Sequence, residues 1–288
     1  MIRKTSVFFI SFFIILLFGI KTVSAQTASL SFSPETILQG DPFLVQVEGI
    51  SEISSIRKLS FDGKKMNIFM YQNKLSALFG VDLNKKPGTY ELMAEFPNGD
   101  IVKKSVEIGQ REKIETPLGI PEKLGGNTKK SQDKLVATLI EDNKSLAGLR
   151  TGKKIFWKDG FIPPLEEVFV TDNYGFSRKT GAYSIAHKGT DYRAKEGTEV
   201  MAINRGVVRF TKTLRNHGKT VVVDHGLGVM SFYLHLSKIK VKVGEVVERG
   251  QIVGLSGQTG YALGAHLHLG IRINDTAIDP VKFLELLK

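Results

Sequence analysis

The chain reads as predominantly all-β, arranged as two β-rich units. Three observations point there. From Ala28 to about Ile108, short runs of alternating apolar residues are separated by turns. After Val168 strand-like runs return, now punctuated by glycines. Nowhere do strands alternate regularly with long helices, so a parallel doubly wound sheet is not expected.

The first residues are set apart from both units. Arg3 and Lys4 form a basic start, Val7 to Ile20 is apolar, and Val23-Ser24-Ala25 is a small-residue end. That is the pattern of a secretory signal over residues 1–25. Its apolar run is short for a membrane span; an uncleaved anchor is the competing reading. The protein is therefore expected to be exported, starting near Gln26 and residing in the periplasm, the cell envelope or outside the cell.

Of the 288 residues none is cysteine. This excludes disulfides, thiolate metal sites and a cysteine nucleophile. Removing residues 1–25 takes away Arg3, Lys4 and Lys21 and no acid, which lowers the formal charge from +11 to +8. A basic exported protein is drawn to anionic polymers or lipid head groups of an envelope, so peripheral association there is expected. Lys153, Lys154, Lys238, Lys240 and Lys242 are scattered rather than interleaved with aromatics. Nucleic acid is accordingly not an expected partner.

Residues 26–110 are expected to form a small β-sandwich of immunoglobulin type. Leu30-Phe32, Phe43-Val47 and Tyr90-Phe96 alternate, and Pro97-Asn98-Gly99-Asp100 is a tight-turn signal before Ile101-Val106. Nothing in this stretch looks catalytic. Residues 111–165 read as a linker containing one helix: Pro117, Pro121, Gly125 and Gly126 break the first part, then Leu135, Leu139 and Ile140 recur at helical spacing over Asp133–Leu146. Residues 166–288 form the second unit and are expected to hold the whole catalytic apparatus. Its strands are expected at Val200-Ile203, Val207-Thr211, Thr220-His225, Val229-His235 and His266-Ile273. Asp279-Pro280 starts a closing helix, with Asp as cap and Pro in the first turn.

Six histidines are present, and their spacing carries the chemistry. His187 and Asp191 flank Gly189, where glycine lets the backbone turn between two ligands. His266 and His268 are two apart on a strand and share one face, with Leu267 and Leu269 turned to the core. Val229, Ser231, Tyr233 and His235 likewise share a face on a second strand. If the two strands are neighbours, three imidazoles line one groove. Imidazole nitrogen and carboxylate oxygen suit zinc, and a catalytic zinc takes three protein ligands and keeps one position open. Five candidates supply three ligands and two groups for proton traffic. Spacing leaves open which of His266 and His268 holds the metal. His225 reads as structural, His217 as a solvated turn residue, and Trp157 and Phe161 as packing residues.

His187-x-x-x-Asp191, Tyr233-Leu-His235-Leu-Ser, Gly250-Gln-x-x-Gly254, Gly257-x-Thr-Gly260 and Gly264-x-His266-Leu-His268 together resemble the lysostaphin-type, LytM-like zinc metallopeptidases. These are peptidoglycan endopeptidases, and the resemblance covers about residues 170–283. Phe79-Gly-Val-Asp-Leu and Pro87-Gly-Thr-Tyr90 look like the immunoglobulin-like module that precedes the peptidase in some members. The resemblance implies an antiparallel β-sheet metallopeptidase domain with a barrel-sandwich-like core. It implies His187, Asp191 and His268 as zinc ligands and His235 and His266 as catalytic histidines that do not bind the metal. It further implies hydrolysis of amide bonds in peptidoglycan peptide cross-links. Some members have lost ligands and act as non-catalytic activators of other wall hydrolases; this chain keeps all five motif residues. Ala265 stands where the family often has proline, and Leu269 where an aromatic is common, which bears on substrate fit.

Overall fold

The computed structural model describes residues 28–288; the expected signal segment lies outside them. The described chain is built of strands, with two short helical turns and two α-helices. No helix among the described residues is long and apolar enough to cross a membrane.

The first 80 or so described residues form two packed sheets. One has four strands in the order 29–33, 42–48, 74–80, 68–71; the other has five, ordered 37–38, 101–109, 88–95, 58–61, 64–65. Period-2 alternation sends one set of side chains between the sheets. Phe43, Leu59, Phe61, Leu92 and Val106 are wholly buried there. Phe61 meets Phe43 and Phe79 edge-on at 5.0 and 4.8 Å between ring centres, the favoured geometry of aromatic pairs. The Pro97–Asp100 turn closes the hairpin between Gly88–Glu95 and Ile101–Gly109, with Glu95 opposite Ile101. Gly99 takes the positive φ of 90° that this turn requires.

The second unit is organised by an antiparallel eight-stranded sheet. Its order is 170–172, 190–193, 266–273, 229–236, 218–226, 206–214, 246–247, with 276–278 paired beside 266–273. A three-stranded sheet of 199–201, 252–255 and 238–239 closes one side of the core. Leu267, Leu269, Ile271 and Ile273 all enter that core, as alternation from Leu267 requires. Helix α2, Pro280–Leu286, starts where expected: the Asp279 carboxylate accepts from the Val281 amide at 3.0 Å and Pro occupies the first turn.

Residues 111–165 do not hang between the units. Glu115–Pro117 adds a parallel strand to Ser177–Thr180, and the Tyr261 hydroxyl donates to the Gly119 carbonyl at 2.7 Å. Helix α1 spans Lys129–Ser145, capped by the Thr128 side chain, which accepts from the Ser131 amide. Leu135 is buried but Ile140 is 65% exposed, so Ile140 does not belong to the packed stripe expected of it. Leu146 packs with Phe232 and Leu234 of the large sheet. Trp157 and Phe161 are buried, as read from sequence, and bridge the two units. Phe69 and Tyr71 of the first unit meet Trp157 at 5.5 and 5.6 Å, while Phe161 meets Phe283 at 4.8 Å. Leu44, Phe69, Tyr71 and Leu78 of the first unit thus join the apolar core of the second, while the paired sheets keep a core of their own.

Candidate metal centre and groove

The strand His266–Ile273 lies between Thr190–Arg193 and Val229–Leu236. In register, Asp191 and Leu234 both stand opposite His268. Directly opposed residues project to the same face, so Asp191 and His268 meet. His187 follows the strand Tyr183–Ala186; its amide donates to the Phe176 carbonyl at 2.8 Å, which turns its ring onto the same spot.

Three donor atoms converge there. His187 Nε2 is 3.1 Å from Asp191 Oδ1, His268 Nδ1 is 2.7 Å from that oxygen, and the two nitrogens are 3.0 Å apart. Tetrahedral coordination with bonds of about 2.0–2.1 Å spaces ligand atoms by roughly 3.3 Å. The triangle is close to that size, and its chemistry matches. His187 Nδ1 lies 2.9 Å from the Asn173 carbonyl, an acceptor only, so Nδ1 carries the proton and Nε2 presents its lone pair. Burial pushes His268 down to about 4, so it is a neutral imidazole at neutral pH. Burial alone would raise Asp191, but its His187 and His268 neighbours outweigh it and hold its carboxyl well below the usual range. Two lone pairs and one negative charge fit a divalent cation.

The surroundings lock this triangle. Arg178, on the strand Ser177–Thr180, donates to Asp191 Oδ2 at 2.5 Å and to Asp172 Oδ2 from both Nε and Nη2. That fork leaves Asp191 Oδ1 to the centre. Gly189 has a different role from the one expected. Its φ is not positive. A Cβ there would lie 2.6 Å from the Leu269 carbonyl oxygen and closer still to His268 Nε2. Glycine is needed because the His268 ring occupies the space.

The two remaining imidazoles stand beside the triangle. His266 Nδ1 donates to the Gly264 carbonyl at 2.9 Å, and its Nε2 is 3.9 Å from Asp191 Oδ1. His235 stacks tilted on His266, ring centres 4.8 Å apart. Its position corrects the expected alternation. Opposition of Phe232 to Gly270 and of Leu234 to His268 puts the groove on the side of Met230, Phe232 and Leu234. Strict alternation would have sent His235 into the core with Tyr233. Instead His235 adopts a left-handed φ of 61°, and the pairing of Lys219 with Leu236 and of Val221 with Tyr233 leaves one extra residue on the His235 strand. This bulge turns Leu234 and His235 to the groove and returns Leu236 to the core.

Thr259 holds the bulge. Its carbonyl accepts from His235 Nδ1 at 2.9 Å, and its hydroxyl donates to the Leu236 carbonyl at 2.7 Å and accepts from the Lys219 amide at 2.9 Å. Gly260, at φ 70°, lies against the Gly218 amide, where no side chain would fit. The Gly257-x-Thr-Gly260 motif is therefore the clamp of His235. Burial, then the neighbouring His266 and His268, push His235 well below the ordinary imidazole value.

The site opens into a groove of about 450 Å³. Its floor is the sheet; Leu135, Leu139, Asn143 and Leu146 of and after α1 form the opposite wall. His217 is not a solvated turn residue. It lines this groove, its carbonyl accepts from the His235 amide at 3.0 Å, and the buried Asp142 of α1 accepts from the amides of Asn216 and His217. His225 is structural: wholly buried, hydrogen-bonded to Ser231 at 2.8 Å and pushed down to about 4 by burial. Leu269 faces the core rather than the groove, so its departure from the aromatic bears on packing and not on substrate. Arg178 and Asp142 went unseen in the sequence, because each acts across 13 residues or more through contacts that only folding makes.

Residues 185–280 match the model of peptidase family M23. Over 96 residues the chain is 44% identical to the peptidoglycan DD-endopeptidase ShyA of Vibrio cholerae, covering 33% of this chain and 22% of that protein. Over 132 residues it is 35% identical to the DD-carboxypeptidase/endopeptidase Mpg of Neisseria meningitidis, covering 45% of this chain and 30% of that protein. The chain thus spans less than a third of the length of these two relatives. Among solved structures, a peptidase M23 from Pseudomonas aeruginosa superposes with a TM-score of 0.62 over 87% of this chain and 96% of its own, at 24% identity, a likeness of fold. Within the C-terminal unit, residues 185–280 thus resemble the M23 metallopeptidases, and His187, Asp191 and His268 form a group that could hold a metal ion.

Proposed function

We propose that the protein is an exported zinc endopeptidase that hydrolyses amide bonds in the peptide cross-links of peptidoglycan. The observation that carries this reading is the His187–Asp191–His268 triangle with His235 and His266 beside it, of which His187, His235 and His268 line an open groove. His187 Nε2, Asp191 Oδ1 and His268 Nδ1 are the atoms that would hold zinc. Zinc, when bound in such a set, supplies a Lewis acid for the scissile carbonyl and lowers the pKa of water to about 7.

The chain's own groups do the rest. His235 and His266 each spend Nδ1–H on a backbone carbonyl, which leaves each Nε2 for proton traffic, with His235 lining the groove and His266 stacked against it. A free Nε2 accepts a proton from the attacking water, and an imidazole so charged returns it to the leaving amide nitrogen. Holding both rings by carbonyls orients them before substrate arrives. Arg178 keeps the Asp191 carboxylate from rotating.

Location and substrate rest on three supports: residues 1–25 have the pattern of an export signal, the chain without them is basic, and the Vibrio relative named above is a peptidoglycan DD-endopeptidase. The N-terminal pair of sheets is read as an immunoglobulin-like module over residues 26–110. It rests on Trp157 and serves to position the groove rather than to react. The test is digestion of purified peptidoglycan by the zinc-loaded protein, with mass analysis of the released peptides. New amino termini at the cross-link are expected, lost with chelator and restored by zinc. Intact cross-links after digestion by fully loaded protein would sink the proposal, as would undiminished activity of metal-free protein.

A further inference from the structure

The groove's electrostatics are one-sided. Among its lining residues are Arg178, Lys188 and Arg272, and there is no aspartate or glutamate. Arg178 is spent on Asp172 and Asp191, but the other two are not. Among the described residues neither forms an ion pair, and the acidic group that acts on Arg272 is Asp275, at longer range. Arg272 rests on the face of Phe232 at 4.5 Å and gives one N–H to the Leu146 carbonyl at 3.1 Å. A guanidinium has five donors, so most of its fork remains uncommitted, half-buried in the groove. Partly buried cations are ordinarily paired.

On the central strand His268, Gly270 and Arg272 share the groove face. Gly270 adds no side chain between them, and His268, Gly270 and Arg272 all line the groove, with Phe232 alongside. At about 3.3 Å per residue the span from His268 to Arg272 is roughly 13 Å, a few residues of an extended peptide. There the groove meets a second cavity. The residues lining both are Asn84, Asn143, Lys188, Arg272 and Ala277: two cations, two amides and a methyl group. Asp82 and Asp275 line only the outer cavity.

The geometry points to a carboxylate-binding subsite at this junction, formed by Arg272 and Lys188 and flanked by the amides of Asn84 and Asn143. It rests on the endopeptidase reading above and narrows it. The substrate peptide carries a free carboxylate a few residues from the scissile bond, which favours acidic wall peptides over uncharged ones such as oligoglycine bridges. Asn84 comes from the first unit and Asn143 from α1, so the subsite is complete only in the full chain.

The probes are two synthetic cross-linked wall peptides with the same scissile amide, one with free α-carboxyl groups and one with carboxamides. Binding is measured by fluorescence anisotropy on the zinc-loaded full chain carrying His266→Ala, and hydrolysis on the unaltered chain. A hydrogen-bonded charge pair is worth about ten- to hundredfold in affinity. The free-carboxyl peptide should bind about tenfold more tightly or better. That ratio should collapse toward one in Arg272→Gln and shrink in Lys188→Gln, while Lys64→Gln, the same charge change on a distant strand, should keep it. A purely structural Arg272, holding the end of α1, would weaken both peptides alike and leave the ratio standing; that result overturns the subsite, as does equal binding of the two peptides to the parent. Preserved binding discrimination without hydrolysis of either peptide would support the subsite and refute the endopeptidase reading.

Discussion

Gly189→Ala is the sharpest probe of the metal centre, because it adds one carbon to a site it never touches chemically. The new Cβ would lie 2.6 Å from the Leu269 carbonyl oxygen and closer to His268 Nε2. Comfortable contact begins at about 3.5 Å, so one partner must retreat by roughly 1 Å. The carbonyl belongs to a strand paired on both sides, with Leu269 opposite Thr190 and Tyr233. The His268 ring is the softer partner. Metal bonds tolerate about 0.2 Å of error, so a ring displaced by about 1 Å no longer binds well. Zinc affinity should fall by at least about tenfold, the lower end of what disturbing a ligand's supports costs. Overpacking should also take about 1–3 kcal/mol from the metal-free fold. Competition with a chelating dye reads the affinity, and thermal unfolding of the apo-protein reads the packing. Zinc binding within twofold of the parent would refute the argument that Gly189 exists to admit His268.

Four further outcomes are expected. His268→Ala should lose zinc and hydrolysis together, whereas His266→Ala and His235→Ala should keep most zinc and lose about 10²–10⁴-fold in rate; elemental analysis beside the rate decides, and zinc lost from His266→Ala but kept in His268→Ala would reverse the roles. Arg178→Gln should weaken zinc by about 10–100-fold by freeing the Asp191 carboxylate; unchanged affinity would make Arg178 a bystander. Stability should drop with acid: His225 is neutral when folded, with a pKa of about 4 against 6.5 unfolded, so the unfolded chain binds more protons between those values. Its contribution is full above pH 6.5, falls as pH drops toward 4 and amounts to about 3 kcal/mol; denaturant titrations across that window in the parent and His225→Asn should differ in slope. Finally, a fragment of residues 166–288 should be less soluble and less stable than one of 129–288, since the shorter one leaves out Leu146, Trp157 and Phe161; equal unfolding midpoints would remove these residues from the peptidase core.

What was legible in the sequence was local. Period-2 alternation announced the strands 88–95, 101–109 and 266–273, the Pro97–Asp100 turn announced a hairpin, and Asp279-Pro280 announced α2. The five candidate residues could be singled out because ligand chemistry restricts which side chains serve and strand period fixes that His266 and His268 share a face. Tertiary structure alone decided the rest. His235 reaches the groove only through a bulge that Thr259 clamps, so an argument from alternation would have sent it into the core. Gly189 answers to a ring 79 residues away, not to its own φ. Arg178 and Asp142 find their partners only once distant segments pack, and α1 becomes a wall of the groove because Leu146 meets the large sheet and Asp142 the amides of Asn216 and His217. Periodicity and capping act within a few residues, while orientation, desolvation and the shape of the groove are set by contacts that no short window of sequence contains.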